Sequence, residues 1–312
     1  MKTIVSRLVC MITVQLICIS AIACGQDAAA EKKPPLPFHT IEGVGGGAIT
    51  PMAYLVNPAG EDQVFGKPAV AASYVGLGSK NLDALTITEN VWGRIEFGFA
   101  ADRLGLGTLP TAIEQATTVD IERSDVWLYH FNVRGLLVKE NLNDNPWLPA
   151  ITAGVDFKTN EGVRDINTKL GGALNGIGYA RENGVDFTLT ATKTAPKAFF
   201  GKPLILTAGL RESEAADLGF LGFANEYQTS FEGNVAVLPF DKWLFAYEFR
   251  QHSNPFDGEI PGLIGTENNW HALDVGYIAS KHATLVAGYG VFGNLANTEA
   301  NSAWWLQLKY EF

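Results

Sequence analysis

Five histidines are the first residues of this chain whose type could do chemistry: His39, His130, His252, His271 and His282. A metal site needs several such ligands converging on one point, often two from a single strand face or helix turn. No two of the five stand at that spacing, so a metal would have to draw partners from distant strands, and neither a metal nor a cofactor is expected. His252 and Ser253, with Glu267 further on, raise the chemistry of a lipid-modifying hydrolase. A nucleophile must lie within hydrogen-bond reach of its base, whereas adjacent residues of an extended strand point to opposite faces. A lipid-modifying enzyme is therefore only a third reading, behind transport and structural roles, and no catalytic residue is assigned. The glycine-rich stretch from Ile41 to Pro51 suggests a phosphate loop only superficially. It lacks the Gly-Lys-Ser/Thr ending and a following helix.

The charged residues carry more information. Glu96, Asp102, Asp156, Asp186, Glu232, Glu248, Asp274 and Glu311 fall singly on the polar sides of alternating segments, as do Arg94, Arg134, Lys158, Arg211, Arg250 and Lys309. Rings of charge inside a pore set ion selectivity. The two signs are nearly balanced here, which favours ion pairing inside a narrow, partly filled lumen, because charges out of bulk water need partners. Glu96, Arg134, Asp156, Lys158, Arg211, Glu232, Glu248, Arg250, Asp274 and Lys309 are the lumen-lining candidates.

The elements that must position these groups are strands. Ile95, Phe97 and Phe99 alternate with Glu96, Gly98 and Ala100; Trp127, Tyr129, Phe131 and Val133 alternate with Leu128, His130, Asn132 and Arg134. The same period of two recurs around residues 151–158, 185–192, 204–211, 231–237, 243–250 and 273–277, and it fits a strand far better than a helix. The polar positions are mostly Thr, Gly, Asn and single charges rather than the Lys and Glu of a solvated face. Connections alternate in length. Lys139–Pro146, Thr194–Lys202, Asp241–Lys242 and Ser280–His282 are short, whereas Gly105–Arg123, Asn160–Gly184, Glu212–Gln228, Asn254–Asn268 and Leu295–Asn301 are mostly longer. Short turns at one end and long connections at the other are the asymmetry of an outer-membrane barrel.

The end of the chain agrees. Trp304, Leu306, Leu308, Tyr310 and Phe312 share one face of a final strand, and Trp305, Gln307, Lys309 and Glu311 share the other. This ending resembles the assembly signal of bacterial outer-membrane barrels, with Leu308, Tyr310 and Phe312 as its residues. At the other end, Lys2 and Arg7 precede an apolar run from Leu8 to Cys24, which reads as a secretory signal over residues 1–23. Cys24 is a candidate for lipidation, although Ala21 stands where such sites usually carry Leu. Residues 24–39 read as a periplasmic lead-in and 40–312 as the barrel with its glycine-rich segment. No later apolar run reaches the roughly 18 residues of a membrane helix. The net charge of −10 argues against a nucleic-acid partner.

The expected fold is thus all-β: a transmembrane antiparallel up-and-down β-barrel of 12 strands, the first near Ala69–Gly76, with 14 as the other even count. The glycine-rich segment and Met52–Val56 are left over, and they read either as extra strands or as a segment inside the lumen. Ile41-Glu42-Gly43 with the following glycines and Pro51, Trp147-Leu148-Pro149, Asp186-Phe187, Leu218-Gly219-Phe220-Leu221-Gly222-Phe223, Lys281-His282 and the Trp305 ending resemble domain-of-unknown-function family 3034. The resemblance runs from about Thr40 to Phe312, with a longer stretch around Val56–Lys67. It implies an outer-membrane-type barrel and no assigned activity. Two function classes head the expectation: a narrow channel or transport barrel for small polar solutes, and a non-conducting structural or surface-interaction barrel acting through its long connections. Expected partners are outer-membrane lipid, the barrel-assembly machinery, and a small solute or loop ligand.

Overall fold

The computed structural model describes residues 39–60, 62–252, 254–256, 268–295 and 298–312. The expected signal, Cys24, Ser253 and Glu267 lie outside the described residues. The alternation becomes twelve long strands. They are β1 (Ala69–Leu77), β2 (Lys80–Val91), β3 (Ile95–Gly105), β4 (Asp125–Val138), β5 (Ala150–Glu161) and β6 (Asn183–Phe199). Then follow β7 (Lys202–Ala215), β8 (Phe223–Phe240), β9 (Trp243–Arg250), β10 (Trp270–Ile278) and β11 (Ala283–Val291). A hairpin of two-residue strands, β12 (Asn294–Leu295) and β13 (Thr298–Glu299), precedes the last wall strand, β14 (Ala303–Glu311).

Each wall strand pairs antiparallel with its neighbour in sequence, and β14 closes the barrel on β1, with Ala69 opposite Glu311 and Gly76 opposite Trp304. Closure matters physically because no wall strand is left with an unpaired row of backbone groups, a requirement in lipid. The period of two then separates two environments. Ile87, Phe99, Phe131, Phe157, Leu189, Leu206, Leu273 and Leu306 are exposed on the outside, while Thr86, Asn132, Asp156, Thr190 and Gln307 are buried on the inside. A continuous apolar belt of this size is a lipid-facing surface. Aromatic contacts tie neighbouring strands on it: Tyr74 and Trp304 lie 5.4 Å apart, and Trp243 and Tyr277 4.8 Å. The fold is a 12-stranded transmembrane-type barrel, and the glycine-rich segment adds no wall strand.

Several local readings are corrected. Arg94 is exposed in the β2–β3 turn beside Trp92 and Gly93 and does not face inward; the turn releases the chain from the alternation that would have turned it in. Much of Thr194–Lys202 and Glu212–Gln228 belongs to strands β6, β7 and β8, so the connections there are shorter than the turn-forming residues suggest. Conversely, two of the long connections carry helices, α1 (Leu109–Thr117) and α2 (Val163–Lys169). Pro110 suits the first turn of α1, where a missing N–H costs nothing. Leu109 and Ile113, one turn apart, are buried with Leu104, Leu106 and Val126. The long connections therefore fold inward over that end of the barrel and form part of its core.

The last strand bears directly on assembly. Leu308 and Tyr310 are exposed on the outer face, Tyr310 meets Phe312 edge-on at 4.9 Å, and the Phe312 N–H donates to the Pro68 carbonyl at 3.1 Å. Replacing Phe312 by Asp puts a charge at the end of the apolar face. The expected outcome is a severalfold lower yield of heat-modifiable barrel in the outer-membrane fraction. An unchanged yield would refute a role for Phe312 in insertion.

Candidate functional site: a segment held inside the barrel

Residues 39–56 do not join the wall. They form a compact double turn inside it, and most are buried. Within the segment, Ile41 N–H donates to Ala48 O at 3.1 Å, Met52 N–H to Gly45 O at 3.1 Å, and Gly47 N–H to Thr50 O at 2.7 Å. Two isolated bridges, His39 with Gly45 and Gly46 with Pro51, complete it. Glycine is needed at the closest approach. Gly43 has φ +80°, a conformation that favours glycine. Its carbonyl oxygen would lie 2.0 Å from a β-carbon on Gly98 of β3. The two glycines let backbone touch backbone.

The polar groups that the segment's own turns leave over are buried, so they must be met by the wall. Glu248 on β9 accepts from the N–H groups of Ala48 at 2.6 Å and Thr50 at 2.8 Å, and also from the Thr50 hydroxyl. Glu96 on β3 accepts from the N–H of Gly45 at 3.2 Å and of Val56 at 2.6 Å, and is paired with Arg134 on β4 at 2.7 Å. Arg134 in turn donates to Met52 O at 2.7 Å. Gln307 on β14 brackets His39, accepting from its N–H at 3.1 Å and donating to its carbonyl at 2.6 Å. The His39 ring lies between the hydroxyls of Thr86 and Thr88 on β2. Asn234 on β8 reaches the Thr50 hydroxyl at 2.9 Å, and Asn132 on β4 reaches the Glu42 carbonyl at 2.5 Å.

The centre of the site is Glu42. Its carboxylate receives Lys158 from β5 at 3.0 Å, and both oxygens are bracketed by Arg211 from β7 and by Arg250 from β9, each with a shortest contact of 2.9 Å. Two guanidinium forks on one carboxylate give strong, directional pairing. The cations are themselves shared: Lys158 and Arg211 contact Asp186 on β6 at 2.6 and 2.8 Å, and Arg211 contacts Glu232 on β8 at 3.2 Å. Beside this group His130 lies 2.8 Å from Asp156. Glu42, His130 and Asp156 offer ligand atoms within 4.8 Å of one another. Glu42 there already faces three cations, so this corner is an ion-pair network rather than a charge sink for a metal.

All ten lumen-lining candidates are buried: Glu96, Arg134, Asp156, Lys158, Arg211, Glu232, Glu248, Arg250, Asp274 and Lys309. They do not make one ring. Lys158, Arg211, Glu232 and Arg250 gather at Glu42, Glu96 and Arg134 form a second station, and Glu248 a third. Asp274 on β10 accepts from the Trp305 indole at 3.0 Å, and Lys309 lies 2.7 Å from Glu311. Sequence reasoning named His39 only as one of five scattered histidines and gave no role to the segment's own Glu42 and Thr50. The only signal was a lone acid inside a glycine-rich run.

Above the ion pairs, toward the end with the long connections, the interior turns apolar. Ile41 and Ile49 of the segment face Val75, Leu82, Leu104, Trp270, Phe292 and Trp305 around a void of about 30 Å³. Among the described residues, Ser73 and Gln307 alone bring aliphatic polar side chains to its lining. A second void of about 30 Å³, under α1 and α2, shares Leu104 and Phe220 with it. His252, outside the wall strands, stacks on Trp270 at 4.3 Å. Burial, with Arg250 adding to it, pushes this imidazole down to about 3. It is neutral at physiological pH and adds no charge to the apolar end.

Removing Arg134 tests how much the wall stations hold. Breaking a buried pair from one side costs about 3–5 kcal/mol, because the other charge is left uncompensated. Arg134→Ala is expected near the lower figure, since Glu96 keeps two backbone donors. Urea unfolding in micelles would register it as a lower midpoint, and an unchanged midpoint would show that the pair is not structural.

A closed, lipid-belted, antiparallel barrel with polar contacts within defines an outer-membrane-type β-barrel. The chain belongs to the family described as Protein of unknown function (DUF3034), whose model matches residues 37–309. No curated protein matches it. Among solved structures it is similar to the KdgM porin, at 10% identity and a TM-score of 0.45 over 78% of this chain and 99% of that one. It is similar to the NanC porin at 10% identity and a TM-score of 0.46, over 78% of this chain and 98% of that one. The COG4313 outer membrane channel from Pseudomonas putida F1 gives 12% identity and a TM-score of 0.43, over 82% and 98% of the two chains. These likenesses concern barrel architecture and extend no further.

Proposed function

We propose that the protein is an integral channel of the bacterial outer membrane for small polar solutes, closed at rest by residues 39–56. The observation that carries this reading is the way the segment is held. Ile41, Ile49 and Met52 pack in apolar clusters with the wall, but the segment's backbone and Glu42 are met by hydrogen bonds and ion pairs, the kind of contact that water and a polar solute can replace. A segment meant only to fill a core would be held by apolar packing alone. Lipid around the belt and the barrel-assembly machinery during insertion are the partners this reading requires. No catalytic role is assigned.

The completeness of the same bonding favours a second reading, a non-conducting barrel that acts through its long connections. A reversible lock separates the two. Thr50→Cys with Asn234→Cys places thiols where side chains now meet at 2.9 Å. In planar bilayers the channel reading expects openings in the reduced protein and loss of them on oxidation. Identical traces in both states, without openings, would favour the non-conducting barrel.

A further inference from the structure

The two arginines and the lysine around Glu42 form a site for an anion, and the segment's own side chain occupies it. Five donor contacts from β5, β7 and β9 converge on one carboxylate. Arg211 and Arg250 approach it with both terminal nitrogens, the arrangement by which a planar carboxylate is recognised. The residue before it, Ile41, enters the apolar void beside Trp305 and Phe292. Ile41 and Glu42 together present an apolar group next to a carboxylate, each in a compartment of matching chemistry.

We infer that this dipeptide stands in for the solute, and that the site takes a small monocarboxylic acid with an apolar body. The inference rests on the gated-channel reading and narrows its solute. The five donor contacts that Glu42 alone accepts are what an incoming anion must make good. Withdrawal of Glu42 leaves Lys158, Arg211 and Arg250 buried with one anionic partner fewer, and an incoming carboxylate restores that partner. A neutral molecule of the same shape cannot, so charge decides which solute displaces the segment. The void of about 30 Å³ is too small for an acid's body while Ile41 fills its neighbourhood. Withdrawal of Ile41 together with Glu42 enlarges it, which couples entry of the apolar body to release of the segment. Exchange involves contacts alone, with no covalent step.

Isothermal titration of the full-length barrel in micelles tests the site, with benzoate as probe and benzamide as its neutral counterpart. Wild-type protein is expected to bind benzoate weakly, because Glu42 competes, and benzamide at least tenfold more weakly. Glu42→Ala removes the competitor and is expected to strengthen benzoate binding tenfold or more; Arg211→Gln is expected to abolish it. Glu42→Gln serves if the alanine variant fails to give heat-modifiable barrel, and the wild-type comparison needs no variant. Benzamide binding as tightly as benzoate, or equal benzoate affinity with and without the Glu42 carboxylate, would overturn the inference. The parent reading is judged separately on the protein lacking residues 38–50. Conduction of potassium chloride without benzoate binding leaves the channel and removes the acid site. Benzoate binding without conduction keeps the site and removes the channel.

Discussion

Deleting Phe38 to Thr50 should yield a barrel that still migrates as a folded, heat-modifiable species and whose conductance in a planar bilayer rises by roughly an order of magnitude. The wall closes without the segment, since β14 pairs with β1 along the full register from Ala69–Glu311 to Gly76–Trp304. None of the twelve wall strands uses residues 39–50. The deletion takes the segment's contacts from Glu248, Arg211, Arg250 and Lys158, of which Arg211 and Lys158 keep Asp186. Their cost is moderated because water enters the emptied lumen and solvates them, unlike a charge stranded in a dry core. Loss of the folded band would show instead that the segment is needed for closure, and the gate would have to be abandoned.

Gly98→Val should open the same passage from the wall side. The added β-carbon would stand 2.0 Å from the Gly43 carbonyl oxygen, which is backbone and has no rotamer with which to retreat. Gly43 is pinned in turn by its φ of +80° and by the Phe99 carbonyl beside it. Valine is itself well suited to a strand, so the barrel persists while the segment loses its seat. Conductance comparable to that of the deletion is expected, with the folded band retained. Gly135→Val on β4 is the matched control, because a β-carbon there meets nothing within 4 Å. A closed Gly98→Val channel, or equal opening by both variants, would refute close backbone packing as the seat of the segment.

The alternation from Ile95 onward determined by itself that the chain forms strands, which side of each meets lipid, and where the last one ends. That information is local: successive side chains of a strand point to opposite faces. Two-residue alternation together with unequal connection lengths also carried the barrel and its count of twelve. It failed where geometry leaves the strand, as at Arg94 in the β2–β3 turn, and where apolar residues at helical spacing were few, as in α1 and α2. Only the tertiary structure decided what fills the lumen. Glu42 and Arg250 are 208 positions apart, and nothing in the neighbourhood of either residue announces the other. Glycine was legible as a sign of close approach, but its partner Gly98 lies in a different strand. The inward charges were readable one by one as a buried polar face. Their division into stations at Glu42, Glu96 and Glu248 follows from closing the sheet into a cylinder, which brings β5, β7 and β9 around one carboxylate.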